Sequence, residues 1–197
     1  MTLNSKTERM RRLTEEVLNC RRCGLCDGRR NPVIGEGDLD AAVSLIGEAP
    51  GRREDETGRP FVGAAGRFLD NLLHHIGLER GEVYIGNILK CRPPNNRRPL
   101  PEEIRACAPH LEEQLEIIQP RIVAPMGNSA IGHLMRRFGL TPAPIGQVHG
   151  KQFEVESPWG PVVLFPLYHP AAALYVRGLE WVLEEDFESL RGLLSRV

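Results

Sequence analysis

The sequence predicts an α/β fold of three layers, α/β/α, in a single domain (1-197) with a central, mostly parallel sheet. Three observations predict it. Short apolar runs alternate with amphipathic helical segments along most of the chain, the pattern of parallel strands joined by crossover helices. With 197 residues there is enough chain for one full core, and no linker divides it. The apolar fraction is 41%, and no apolar run is long enough to span a bilayer.

The elements follow in order. Thr7 to Asn19 sets Met10, Leu13 and Val17 at helical spacing. Ala42 to Gly47 is a short apolar run typical of a buried strand, and Gly51 to Gly66 reads as a glycine-punctuated loop without a period. An amphipathic helix over Gly66 to Ile76 places Phe68, Leu69, Leu72, Leu73 and Ile76 on one face, with Gly77 as its stop. Val83 to Ile88 is the second strand, and Arg92 to Pro101 a proline- and asparagine-rich loop. Pro101 suits the first turn of a helix in which Ile104, Cys107, Leu111, Leu115 and Ile118 share a face. Pro109 is expected to interrupt and kink it. Arg121 to Met126 is a third strand, and Asn128 to Phe138 a helix. Phe153–Val155 and Val162–Phe165 read as strands joined by a Pro-Trp-Gly turn, and Leu179 to Leu194 as a closing helix.

Net charge is −1, which does not advertise a nucleic-acid binder. The basic charge is nearly all arginine, however, since Lys6, Lys90 and Lys151 are the only lysines. Arginine doublets at 21–22, 29–30, 52–53, 97–98 and 136–137 could form a local phosphate-binding face, because guanidinium forks match phosphate oxygens. The polar stretch Met1 to Arg12 lacks the apolar segment of a signal peptide, so a cytoplasmic location is expected. Reduced thiols fit that compartment.

Four of the five cysteines form a pattern. Cys20 and Cys23 make a Cys-x-x-Cys pair, and Cys91 and Cys107 lie far downstream. Four thiolates converging from separated segments can hold tetrahedral zinc or a 4Fe-4S cluster, and spacing alone does not choose. Cys26 reads as a neighbouring thiol outside the ligand set.

In a mostly parallel sheet ligands bind beyond the carboxyl ends of the strands, and the informative loops fall there. Gly47-Glu48-Ala49-Pro50-Gly51 follows the first strand, exposing Glu48 and offering backbone amides to a ligand. Phe61, in Gly58-Arg59-Pro60-Phe61-Val62-Gly63, is either a loop anchor or a stacking platform for a planar ligand. Asn87 ends the second strand as a turn former or a reader of ligand edges. Tyr168-His169-Pro170-Ala171 follows the last strand. An acid, an aromatic ring, an amide and an imidazole are thereby expected on one rim of one sheet.

Three of these segments carry a resemblance. Gly47–Gly66 (Gly-Glu-Ala-Pro-Gly-x-x-Glu-Asp-x-x-Gly-x-Pro-Phe-Val-Gly-x-Ala-Gly), Asn87–Pro94 (Asn-Ile-Leu-Lys-Cys-Arg-Pro-Pro) and His169–Ala171 look like the family 4, iron–sulfur, uracil-DNA glycosylases. The likeness runs from about Cys20 to the last helix. It implies a monofunctional DNA repair enzyme that flips uracil out of DNA and hydrolyses its N-glycosidic bond. It also implies a structural 4Fe-4S cluster on Cys20, Cys23, Cys91 and Cys107, tying the 20-26 segment to the 91-107 segment. Phe61 matches the residue that stacks on uracil, Asn87 the one that pairs with its polar edge, and His169 the histidine near O2, with a backbone amide near Ala49 as a second donor. The best-known uracil-DNA glycosylases carry an aspartate where Ala49 stands and a methyl-excluding tyrosine where Gly51 stands. The acid is therefore expected from Glu48 rather than Glu54 or Asp55, and the wall against thymine from Glu54.

The implied partner is uracil-containing DNA, single- or double-stranded, with no membrane partner and the chain acting as a monomer. A sliding-clamp contact is not readable. Leu174 and Tyr175 are expected either in the core or as a wedge entering the duplex. Arg97 and Arg98 are candidate phosphate contacts. A related branch bonds covalently to DNA through a histidine in an inserted loop. Arg92–Leu100 has no histidine, so ordinary turnover is expected.

Overall fold

The computed structural model describes residues 3–196; positions 1, 2 and 197 of the expected domain, and the start of the polar N-terminal stretch, lie outside the described residues. Six strands form one sheet in the order β1-β3-β2-β4-β6-β5. They are β1 (Glu36–Gly37), β2 (Val43–Gly47), β3 (Tyr84–Asn87), β4 (Ile122–Pro125), β5 (Phe153–Ser157) and β6 (Gly160–Leu164). The four inner strands are parallel, with Leu45 opposite Ile85 on one side and opposite Ala124 on the other. The outer strands β1 and β5 pair antiparallel.

Inner strands buried on both faces need apolar residues pointing both ways, which is why they appear as continuous apolar runs. Val43, Leu45, Ile122 and Ala124 pack with Leu69, Leu72 and Leu73 of α3 (Ala64–His75) and Phe187 and Leu190 of α8 (Leu179–Leu194). Ile46 and Val123 pack the opposite way, against Leu111 and Leu115 of α4 (Pro101–Ile118) and Ile131 and Leu134 of α5 (Asn128–Arg137). These are the three expected layers. The first helix, α1 (Leu3–Leu18), lies outside α4, with Leu13 and Val17 against Ile117. Among the described residues, no helix is long and apolar enough to cross a membrane.

Two sequence expectations are corrected. Part of the Gly51–Gly66 loop is helical, as α2 (Arg52–Thr57). Its sequence, Arg-Arg-Glu-Asp-Glu-Thr, has no apolar period, and Asp55 is its one buried residue. Nor does Pro109 interrupt α4, which runs as one element from Pro101 to Ile118. Pro109 and Arg105 both face solvent, so the carbonyl that loses its helical donor can be hydrated instead. Two short helices were not expected: α6 (Ile145–Val148) and α7 (Pro170–Ala173).

The chain leaves β2 for β3 on one side and later returns to place β4 on the other. The crevice at such a reversal is open at the carboxyl ends of the strands. Glu48 follows β2, Asn87 ends β3, Gly127 follows β4, and the bridge between Met126 and Leu167 carries the chain past β6 to His169.

Candidate active site

One cleft at that crevice is lined by Glu48, Ala49, Glu54, Phe61, Asn87 and His169. All six cleft residues singled out from the sequence therefore meet in one place. An adjoining cavity shares Glu48, Ala49 and His169 and continues to Arg98, Asn128 and Ser129 at the start of α5.

Phe61 is both of the things its position allowed. Its residue is 6% exposed and joins the core, while its ring lies against His169 with centroids 5.5 Å apart and planes 26° off parallel. Gly47 makes room for this arrangement. A Cβ there would stand 2.4 Å from Asn87 Oδ1 and 2.7 Å from Phe61 Cζ, so only glycine lets the two side chains converge over the end of β2.

His169 sits at the N-cap of α7, and its Nδ1 accepts a hydrogen bond from the Ala171 backbone N–H at 3.1 Å. That fixes the tautomer: the neutral ring carries its proton on Nε2. Burial pushes the imidazole pKa down to about 4, against a smaller opposing pull from the Glu54 carboxylate. The ring is thus a neutral donor at ordinary pH. Gly127, at φ +85°, comes close behind it, where a Cβ would be 3.1 Å from the His169 Cβ.

Glu54 lines the cleft but its Oε1 is engaged, accepting from Val62 N at 2.9 Å and Gly63 N at 3.0 Å. Asp55 is elsewhere: it is buried and its Oδ1 accepts from Arg30 N at 2.9 Å. Of the three acids considered, Glu48 alone lines both cavities. Arg97 also lines the cleft, and two hydrogen bonds of 2.9 and 2.6 Å to Glu103 hold it to its own loop. Leu174 and Tyr175 are 45% and 86% exposed, which excludes the core position for both.

A third cavity gathers Cys20, Cys23, Cys26, Cys91 and Cys107. Among the described residues no group of three or more His, Cys, Asp or Glu side chains is placed to hold a metal ion; the five thiols line one shared space. The donors around them suit thiolates. Arg29 Nη1 lies 3.2 Å from Cys91 Sγ, the Lys90 backbone N 3.2 Å from Cys107 Sγ, and His110 Nε2 3.4 Å from Cys20 Sγ. Without a metal, burial pushes the Cys107 thiol up to about 11.

One further residue joins the cysteine cavity to the cleft. Lys90 is 1% exposed, and its Nζ donates to Asn87 O at 2.7 Å and Gln114 Oε1 at 2.6 Å. Gln114 passes the contact on to Ile34 O at 2.7 Å. A charge so deeply placed is kept only by close partners, and its neighbour Cys91 was the visible signal.

A cleft at the reversal point of a three-layer α/β fold, furnished with a stacking ring, a carboxamide, a neutral imidazole and a carboxylate, is equipped to hold a flat polar ring. The chain belongs to the uracil DNA glycosylase superfamily, whose family model matches residues 34–191. Within it the chain is similar to proteins named type-4 uracil-DNA glycosylase. It is 44% identical to that of Sulfurisphaera tokodaii over 93% of this chain and 84% of the relative. It is also 44% identical to that of Archaeoglobus fulgidus (93% and 92%) and 38% identical to that of Thermotoga maritima (98% of each).

Proposed function

We propose that this protein is a monofunctional uracil-DNA glycosylase: it takes uracil out of the DNA stack and hydrolyses its N-glycosidic bond, leaving an abasic site. The observation that carries the reading is a neutral Nε2–H donor on His169, in the same cleft as the Phe61 ring and the Asn87 carboxamide. A target base inside a duplex is inaccessible, so the nucleotide must be extruded into the cleft. Phe61 stacks on the extruded ring. Asn87 accepts from N3–H and donates to O4. Cytosine reverses both groups and leaves buried polar atoms unpaired, at about 1–3 kcal/mol each. Glu54 closes the wall that a thymine methyl group would meet.

As the C1′–N1 bond breaks, its electron pair moves onto uracil and negative charge gathers at O2. His169 Nε2–H donates to that oxygen, with a backbone amide near Ala49 as a second donor; a donor of this kind contributes about 3 kcal/mol. The sugar becomes cationic. Glu48 stabilises it and orients the water whose oxygen bonds to C1′, accepting the proton that the water releases. No lysine lines the cleft, in keeping with hydrolysis rather than Schiff-base lyase chemistry.

Cys20, Cys23, Cys91 and Cys107 would hold a 4Fe-4S cluster, whose contribution is to cross-link the 20-26 and 91-107 segments. Thiols that line one shared cavity, met by N–H donors from Arg29, the Lys90 backbone and His110, suit a thiolate-held cluster. A brown anaerobic preparation containing iron and sulfide is expected; a colourless one containing zinc would contradict this.

Incubating the protein with a uracil-containing oligonucleotide and then alkali should cut the strand at the uracil, and an intact strand would overturn the enzyme reading. The state of His169 gives a pH prediction. With its pKa near 4, the imidazole takes up no proton around pH 6.5, so the single-turnover rate should show no histidine inflection there. An inflection near 6.5 that vanishes in His169→Gln would contradict this. The same depression affects stability. Below pH 6.5 the unfolded chain binds a proton that the folded chain refuses, so stability is fully present above 6.5. It then falls toward pH 4, by at most about 3 kcal/mol.

A further inference from the structure

Phe61 adopts φ +50°, the left-handed region that a side chain with a Cβ seldom occupies and that persists only where the surroundings enforce it. The enforcement comes from both sides of the segment 60–63. On one side Glu54 Oε1 accepts from the backbone N–H groups of Val62 and Gly63. On the other, the Arg80 guanidinium donates to the carbonyl of Phe61 at 3.2 Å and to that of Pro60. Helix α3 backs onto the same carbonyl, since a Cβ at Gly66 would stand 1.7 Å from Phe61 O.

Arg80 is itself immobilised. Its Nη1 donates to Asp70 Oδ1 at 2.8 Å and its Nε to Glu36 Oε1. Glu36 is held in turn by Arg59, at 2.9 and 3.2 Å. The planar fork therefore spans two backbone carbonyls and two carboxylates at once, a geometry that a lysine ammonium cannot reproduce. Arg80 does not line the cleft; it reaches the ligand only through Phe61.

We infer that Arg80 is a positioning residue for the base-stacking ring: by clamping the carbonyls of Pro60 and Phe61 it sets the angle at which the Phe61 ring meets the flipped base. This rests on the stacking role proposed above for Phe61. If Arg80 merely stabilised the fold, its loss would act on catalysis independently of the ring. If it acts through the ring, removing the ring first leaves it nothing to do.

The test is a double-mutant cycle on the single-turnover rate of uracil excision from a single-stranded oligonucleotide, at a temperature where melting curves show every variant folded. Arg80→Met should slow excision about tenfold, a loss of the size expected when a contacting group is misaligned. Phe61→Ala should slow it more, and the double variant should match Phe61→Ala within about twofold. Should Arg80→Met not fold, Arg80→Lys takes its place in the cycle. It keeps the charge toward Glu36 and Asp70 but loses the fork, and about a threefold loss is expected, again absent when residue 61 is alanine. Losses that multiply in the double variant would overturn the inference, as would a wild-type rate for the Arg80 variants alongside an impaired Phe61→Ala. Phe61→Ala at the full wild-type rate would overturn the stacking reading instead.

Discussion

Glu48→Gln should slow single-turnover uracil excision by about two to three orders of magnitude, the range that a positioned acid–base group supplies. The fold should be untouched. Glu48 sits just past β2, and its backbone carbonyl, which accepts from Leu89 N at 3.0 Å, is the same in the variant. Its side chain faces the two cavities at the carboxyl end of the sheet. Glutamine keeps the shape while losing the charge that would face the cationic sugar and the basicity that would take the water's proton. A melting temperature within about 2 °C of wild type, combined with the lost rate, is the expected pair of results. A wild-type rate would move the acid to Glu54. That residue is a poor substitute, because its Oε1 already holds two backbone N–H groups of the Phe61 loop.

The second large effect concerns stability. Cys91→Ala should abolish the iron–sulfur absorbance and lower the melting temperature by about 10 °C or more, since binding energy that exists only in the folded state is folding energy. Cys91 is buried, receives the Arg29 guanidinium, and follows Lys90, whose Nζ holds the carbonyl of Asn87. Without the cluster, Arg29 and Lys90 would remain as charges beside neutral thiols. Loosening should spread from the cysteine pocket into the Arg92–Leu100 loop and back to the end of β3. Hydrogen exchange would register it there first, ahead of the α3–α8 face. An unchanged melting temperature with no iron bound would contradict the structural role proposed for the cluster.

The fold was legible where burial leaves a period. The strands β2, β3 and β4 are apolar runs because both faces are covered, and α3, α4, α5 and α8 have one apolar side. Strand β1 was invisible because it has only two residues, Glu36 and Gly37, and its pairing is with β3 rather than with anything nearby in sequence. Helix α2 was missed because its polar residues bury almost nothing, and Pro109 misled because its position relative to solvent decides whether it breaks a helix.

The cleft followed from strand ends: Glu48, Asn87 and His169 stand just where apolar runs stop, and Phe61 is an aromatic in a polar loop. Arg80 left no such trace. Its partners are carbonyls and carboxylates of residues 36, 60, 61 and 70, brought together only by the fold. Gly47 could be read as a turn glycine, but not as the space that Phe61 and Asn87 share.

In the proposed mechanism one flat base is held by the Phe61 ring, the Asn87 carboxamide and the His169 imidazole. A crystal structure of the protein with free uracil tests it most directly. The uracil ring is expected parallel to Phe61, with its N3 and O4 within hydrogen-bond distance of the Asn87 side chain and its O2 facing His169 Nε2. Uracil bound outside this cleft, or inside it with O2 turned toward Asn87, would contradict it.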